Sequence, residues 1–334
     1  MSPLTSLLGA IGLGAMILVA ILVRMRAVLF SLGILWFFVM HLLVSSVIPL
    51  ELVYEHRNYM GSIGIFLAVF ALLFTGKAED SLKTIRYALA FAVITLYAGL
   101  TFMRANEWAE PVRLAHFESS RHPDSPRANY DLGLLLSKIA PAPGSLGFTM
   151  AIDTFSYSAQ LEGTSLLPLQ ALLFLHAKHD LPIPDKWWED AKQYIETKPL
   201  SAQDRNAVYA LINGQIQGVT HFDNQKLGEL VETVYRHHSH RTEVIAMYAN
   251  FLLNVAGKPS EAERYLLEAV VKAPRNAQMW ANLVQYQLAT GQLNAAREGL
   301  SRLREFNRFG RLDKIINDLE ATKRAASGLW GATP

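Results

Sequence analysis

The chain has 334 residues, 51% hydrophobic and 18% charged, with a formal net charge of +2 and no cysteine. That composition leans toward a membrane protein, and the missing cysteines exclude disulfides, thiolate catalysis and thiolate metal sites. Up to Arg104 there are seven Lys/Arg against four Asp/Glu, and after it twenty-four against twenty-five. The back half therefore lacks the basic excess that nucleic acid binding requires, and no nucleic acid partner is expected.

The first hundred residues hold four apolar stretches near the roughly 20 residues that a bilayer asks of a helix. They run from about Leu4 to Val23, Val28 to Ile48, Tyr59 to Thr75 and Thr84 to Met103. Arg24 and Arg26 follow the first stretch instead of preceding it, the reverse of a secretion signal, so it reads as an uncleaved helix with its N-terminus outside. Arg24 and Arg26 in one connection and Lys77, Lys83 and Arg86 in another place both connections in the cytoplasm. Pro49 to Met60 and everything after Met103 then face outward, into the periplasm of a Gram-negative cell. The third stretch is the shortest; as a re-entrant hairpin or surface helix it would reverse the soluble half. The expected domains are a membrane domain at 1–104, a repeat domain at 105–326 and a disordered tail at 327–334, in a multi-pass inner-membrane protein.

Beyond the membrane stretches, "SPRANYDLGLLL" (Ser125 to Leu136) opens a helix, with Leu132 and Gly133 as its packing pair. Amphipathic segments follow near Ser145 to Gln160, Ser165 to Lys178, Asp185 to Glu196, Ala202 to Asn213 and Gln225 to Arg236. Pro182, Pro184 and Pro199 punctuate them near helix starts. The clearest signal comes next. "EVIAMYANFLLNVAGKPSEAERYLLEAVVKAPRN" from Glu243 aligns with "AQMWANLVQYQLATGQLNAAREGLSRLREFNRFG" from Ala277 at an offset of 34. Ala246 then matches Trp280, Ala249 matches Leu283, Gly257 matches Gly291, Ala262 matches Ala296 and Leu266 matches Leu300. This is the tetratricopeptide period, each unit a helical hairpin with glycine at the turn, alanine where helix B approaches helix A, and Pro274 closing the first unit. Leu312 to Ala325 reads as the polar-faced capping helix that such arrays need. No run has the alternation of a sheet. The expected fold is all-α, about four transmembrane helices followed by an α-solenoid of tetratricopeptide-like hairpins.

Several residue groups invite chemistry. His237, His238 and His240 in "RHHSHR" point in different directions from a helix end, and His176 with His179 offers only a pair, so no metal site and no cofactor is expected. Trp187 and Trp188 read as packing plus a surface aromatic. "GSLGF" at Gly144 lacks the strand and lysine of a phosphate loop.

"PLELVYEHRNYMGSIGIF" (Pro49 to Phe66) sets two glutamates, a histidine and an arginine between apolar stretches. With the tryptophan-bearing helix before it, this segment resembles the last membrane segments of multi-spanning, lipid-linked-sugar-dependent glycosyltransferases that carry tetratricopeptide repeats, the transmembrane O-mannosyltransferase-like group of GT-C type. Those proteins carry forms such as E-H-R-N-Y-L-P-S. Glu55, His56, Arg57, Asn58, Tyr59 and Met60 match, and Gly61 replaces the proline. The resemblance spans about Leu32 to Leu73 plus the repeats in general. It implies that Arg57, assisted by His56 and flanked by Glu55 and Tyr59, contacts the phosphate of a polyprenyl-phosphate carrier. It also implies an acidic residue acting as the catalytic base in an early outer loop of a much larger membrane domain, whereas the first acidic residue here is Glu51. The chain thus resembles the C-terminal third of such an enzyme. The alternative is that Glu55 and Arg57 simply anchor a loop at the interface.

The leading functional expectation is a non-catalytic, membrane-anchored repeat scaffold that binds a protein partner outside the cytoplasm and serves surface or protein glycosylation. The alternative is the C-terminal portion of a polyprenyl-phosphate-sugar-dependent glycosyltransferase without its catalytic spans. A third reading is an assembly factor for surface polysaccharide or pili.

Overall fold

The computed structural model describes residues 3–45, 55–74 and 80–330. They form two compact units, Met1–Asn106 and Glu107–Pro334, and among the described residues there is no strand.

The first unit consists of α1 (Pro3–Val23), α2 (Val28–Ser45), α3 (Glu55–Phe74) and α4 (Asp80–Trp108). Two segments, Leu4–Val23 and Lys83–Trp108, are long and apolar enough to cross a membrane, with mean hydropathies of 2.6 and 1.6. The apolar parts of the other two are shorter, Val28–Leu42 and Asn58–Phe74. Of the four expected spans, two therefore meet the criterion of length and composition among the described residues. The ends of the second and third expected spans, at 46–48 and 75, lie outside those residues. Leu7, Ile11, Leu18 and Leu22 on α1 and Phe91, Ile94, Leu96 and Phe102 on α4 are all exposed. A helix with apolar side chains all round needs an apolar surrounding.

The tightest pairing in this unit joins α2 to α3. A Cβ added at Gly33 would overlap the carbonyl oxygen of Gly64, and one at Gly64 would overlap that of Gly33. Both positions must be glycine for the backbones to meet, the close approach on which helix association in lipid depends. The Ser31 hydroxyl ties α2 to α1 by donating to the Ala20 carbonyl at 2.8 Å. Phe66 meets Tyr97 and Phe74 meets Tyr87 on α4, each pair at 5.5 Å between ring centroids.

The second unit opens with α5 (Pro111–Arg121), α6 (Pro126–Ile139), α7 (Leu146–Gln160) and α8 (Leu167–Lys178). Next come α9 (Asp185–Thr197), α10 (Ala202–Ile216), α11 (Asn224–His238) and α12 (Thr242–Asn254). It ends with α13 (Pro259–Lys272), α14 (Ala277–Ala289), α15 (Leu293–Phe306) and α16 (Asp313–Trp330). Except at α9 and α10, where α9 packs on α11 instead, each helix packs on its successor, and α6, α8, α10, α12, α14 and α16 also touch one another in that order. The array is thus a stack of hairpins, tetratricopeptide-like, with the even-numbered helices as one layer and α7 to α15 as the other.

Local chemistry sets the helix starts. The Ser125 and Ser145 hydroxyls accept from Ala128 N and Phe148 N at the first turns of α6 and α7, each satisfying a donor that the helix cannot. Gly133, placed in a packing pair from sequence, is buried, and a Cβ there would come within 2.8 Å of Phe155, itself fully buried. The sequence reading did not foresee α5. Its expected disordered tail began after Ser327, but α16 continues helically to Trp330; residues 331–334 lie outside the description.

The two aligned units are α12–α13 and α14–α15. Gly257 and Gly291 hold φ of 65° and 77°, left-handed values at which a side chain is strained. Ala262 and Ala296 are both fully buried, and Ala246, Ala249, Leu266, Leu283 and Leu300 are buried with them. Trp280 is half-buried, and its indole N–H donates to the Pro274 carbonyl at 2.9 Å. Pro274 thereby links the end of one unit to the first helix of the next.

Candidate functional site

A furrow of about 620 Å³ lies where α10, α12 and α14 of the repeat unit run side by side. Its floor is apolar: Ala246, Ala249 and Leu253 from α12, Leu266 from α13, and Met279 and Tyr286 from α14. Its rim is polar, with Arg205 and Asn206 on α10, Glu243, Asn250 and Asn254 on α12, and Gln278, Asn282 and Gln285 on α14. The pattern follows from helix geometry. On α12 the steps 246, 249, 253 recur on one stripe and face inward, and 243, 250 and 254 flank that stripe.

Within the rim, the Asn254 amide donates to Asn250 Oδ1 at 2.7 Å, and the Gln278 amide donates to Asn282 Oδ1 at 2.9 Å. Tyr209, which also lines the furrow, has its phenol pKa raised, first by burial and then by the nearby Glu243 carboxylate. Its hydroxyl stays a hydrogen-bond donor. The Tyr286 hydroxyl is tied down by the Pro259 carbonyl at 3.1 Å, so that ring is a fixed wall.

A second cavity, about 660 Å³, lies in the first unit. His41, Asn58, Tyr59, Ser62 and Tyr97 supply its polar groups, and Phe37, Ile63, Ile65 and Phe66 its apolar wall. His41 Nδ1 lies 2.9 Å from the Phe37 carbonyl and Nε2 lies 3.0 Å from Asn58 Oδ1. Both partners are acceptor oxygens, so a neutral ring donates to one of them at a time. The Trp36 indole N–H closes the same seam on the Met60 carbonyl at 2.8 Å. A Cβ at Gly61 would strike the His41 ring. The position where the resembled family carries proline is thus held to glycine by its neighbour on α2.

The residues expected from the charged segment are only partly described. Glu55, His56 and Arg57 form the first turn of α3, and their side chains lie outside the described residues. Tyr59 is exposed at the mouth of the cavity. Sequence reasoning missed His41, although a histidine inside an apolar run was a signal, and it matched Asn58 to the motif without giving it a role. It also missed every rim residue of the furrow, because those residues carry no motif.

The histidines find structural partners. His238 is buried with Nε2 2.9 Å from the Ile195 carbonyl, and the His237 and His240 rings stand 6.5 and 6.1 Å from its centroid. His176 bonds the Pro182 carbonyl and meets Trp187 edge-on at 4.7 Å, and His179 packs on Phe148. Trp188 is a core residue and Trp187 a half-buried one. Among the described residues, no group of three His, Asp or Glu side chains is arranged to hold a metal ion.

No family model matches the chain, and no curated protein matches it. Among solved structures it is similar to a chain titled "Functional Characterization of Pseudomonas Aeruginosa pilF". The identity is 12%, over 64% of this chain and 95% of that one, with a TM-score of 0.34. A likeness at that level carries no argument about what the chain does.

Proposed function

We propose that the chain is a membrane-anchored helical-repeat scaffold that docks a protein partner on the extracytoplasmic side of the inner membrane, accessory to surface or protein glycosylation. The observation that supports docking is the furrow, a solvent-open concavity with an apolar floor and a polar rim, of the size at which side chains of a partner are received. Stacked hairpins offer such surfaces because the even-numbered helices line one continuous face. Anchoring is supported by the two long apolar helices α1 and α4, and the side by the arginines and lysines of the connections.

The test uses living cells. A photo-reactive amino acid at Gln285 should give one discrete adduct with a protein partner, and the same group at Arg302, on α15, should give none. Equal labelling at both positions, or none at either, would refute docking in the furrow. Reporter fusions after Arg26 and after Pro334 should report opposite sides of the membrane; the same side would refute the orientation.

A second reading concerns the cavity of the membrane unit, and what favours it is the convergence of His41, Asn58, Tyr59 and Ser62 at the α2–α3 seam. Here Glu55, His56, Arg57 and Tyr59 contact the phosphate of a polyprenyl-phosphate lipid, in a portion of a glycosyltransferase whose catalytic base is supplied elsewhere. Arg57→Lys should then lose the carrier lipid, because a point charge cannot copy two parallel hydrogen bonds. Equal lipid retention by wild type, Arg57→Lys and Arg57→Ala would reduce the segment to an interfacial anchor.

A further inference from the structure

We infer that a cleft between α7 and α9 binds a neutral linear saccharide, with sugar rings laid on Trp187 and Tyr194 and hydroxyls bonded to Asp190 between them. The site goes beyond the docking reading and shares no lining residue with the furrow, so either reading can fail without the other.

In the layer that runs from α7 to α15, α9 packs on α11, and toward α7 a cleft of about 400 Å³ opens. Leu169 and Leu172 of α8 close its floor and are buried, so contact with a ligand falls to the walls. Helix geometry builds one wall. Trp188, Ala191 and Ile195 turn α9 toward the core. The neighbouring stripe of Trp187, Asp190, Tyr194 and Thr197 lines the cleft, its steps of three, four and three being those of a single helix face. The stripe runs about 15 Å along the helix.

Its two rings are held in place before any ligand arrives. Trp187 meets the His176 ring edge-on at 4.7 Å between centroids, and His176 Nδ1 is tied to the Pro182 carbonyl at 2.8 Å. The Tyr194 hydroxyl donates to Asp204 Oδ2 at 3.4 Å. Both rings are half-buried, and rings fixed in advance lose little freedom on binding. One face of a sugar ring is a patch of C–H bonds, and laying it on an aromatic ring takes two apolar surfaces out of water. Two rings two helical turns apart suit a chain of repeating units, whereas a lone flat base would use only one of them.

The polar groups of the cleft are uncommitted. Nearby charges pair, Lys192 with Glu229 and Lys226 with Asp185. Lys186, Asp190 and Lys198 line the cleft and have no side-chain partner among the described residues, although Lys186 and Asp190 stand four apart on one helix, a spacing at which such pairs form. A sugar hydroxyl both donates and accepts. Asp190 accepts only, the two lysines donate only, and the Gln193 carboxamide does both. This set answers hydroxyls without selecting a charge, since an anion would meet Asp190 and a cation the lysines.

The probe is an array of immobilised saccharides: neutral linear oligomers of hexoses and N-acetylhexosamines in both anomeric linkages, the corresponding single sugars, and uronate oligomers. The full-length protein is applied in a polyoxyethylene detergent, which carries no sugar of its own. Neutral oligomers of at least one linkage should be retained, above single sugars and uronates. Trp187→Ala should weaken that retention by roughly tenfold, the scale of one lost ring contact, and Trp187→Phe should recover part of it. Asp190→Ala, which removes a side chain without a partner in the free protein, should lower retention to a similar degree through its lost charge-assisted bonds, and it carries the test alone if Trp187→Ala unfolds. Retention of no neutral oligomer, retention unchanged by both alanine variants, or preference for uronates overturns the inference.

Discussion

Asp204 is a carboxylate on which two helix starts depend, and its removal gives a sharp test of how the repeat unit is joined. The residue is 1% exposed. At the start of α10 it forms a capping box with Ser201, accepting from Ser201 N at 2.9 Å while Asp204 N donates to Ser201 Oγ at 3.1 Å. Its other oxygen accepts from Leu166 N at 2.8 Å, a buried bond across 38 positions of sequence. Leu166 caps α8 and has no side-chain group for the task. Asp204→Ala removes the box, at about 1 kcal/mol, and strands the buried Leu166 N–H, at about 1–3 kcal/mol. The expected loss is about 2–4 kcal/mol. Asp204→Asn keeps an acceptor for Leu166 but turns an amide N–H toward Ser201 N–H, so it should cost about half as much. Urea unfolding of the detergent-solubilised chain measures the total, and hydrogen exchange with mass spectrometry measures where it falls. Faster exchange is expected at the starts of both α8 and α10. If α10 alone loosens and α8 is unchanged, the Leu166 bond contributes nothing and the reasoning fails.

Ala296→Leu should overpack the crossing of α15 on α14 and cost about 1–3 kcal/mol, seen as a lower urea midpoint; an unchanged midpoint would remove the alanine from that crossing. Gly33→Leu should force α2 from α3, since even a Cβ there overlaps the Gly64 carbonyl. Spin labels on engineered cysteines, clean in a chain with no cysteine of its own, should report longer distances between the two helices, and an identical distribution would refute the contact. Tyr194 and Tyr248 have phenol pKa values pushed up to about 12, chiefly by burial, with Asp204 and Glu232 the next causes. The unfolded phenol ionises near pH 10. The folded state therefore holds these protons longer, and their contribution is intact below pH 10 and lost between pH 10 and 12. Tyr194→Phe and Tyr248→Phe should raise the pH at which the repeats unfold, followed by circular dichroism beside phenolate absorbance; no shift in either variant would contradict that origin.

The repeats were legible because their constraints are local. Gly257 and Gly291 mark a backbone value that other residues resist, and Ala262 and Ala296 mark a crossing that tolerates nothing larger. The 34-residue spacing carries both. The helix α5 escaped notice because it stands outside the period, with Pro111 at its first turn as its main signal. The furrow could not be read, since its rim is drawn from three helices distant in sequence. The pairing of His41 with Asn58 was hidden for a related reason. It depends on the register of α2 against α3, which Gly33, Gly61 and Gly64 fix only once the two helices are laid together.

The contact between Gly33 and Gly64 has a consequence for counting. Two helices whose backbones touch enter or avoid a bilayer as a couple, because separating them would expose the seam that joins Trp36 to Met60 and His41 to Asn58. The number of crossings can then change only by two. In the anchoring proposed above, α1 and α4 alone give two crossings, and the couple added gives four. Parity is the same in both cases, so that proposal puts the start of the chain and its repeats on one side whichever applies. Arg24, Arg26, Lys83 and Arg86 also share a side in both cases, which means that a single orientation satisfies the positive charges without deciding how deeply the couple is immersed.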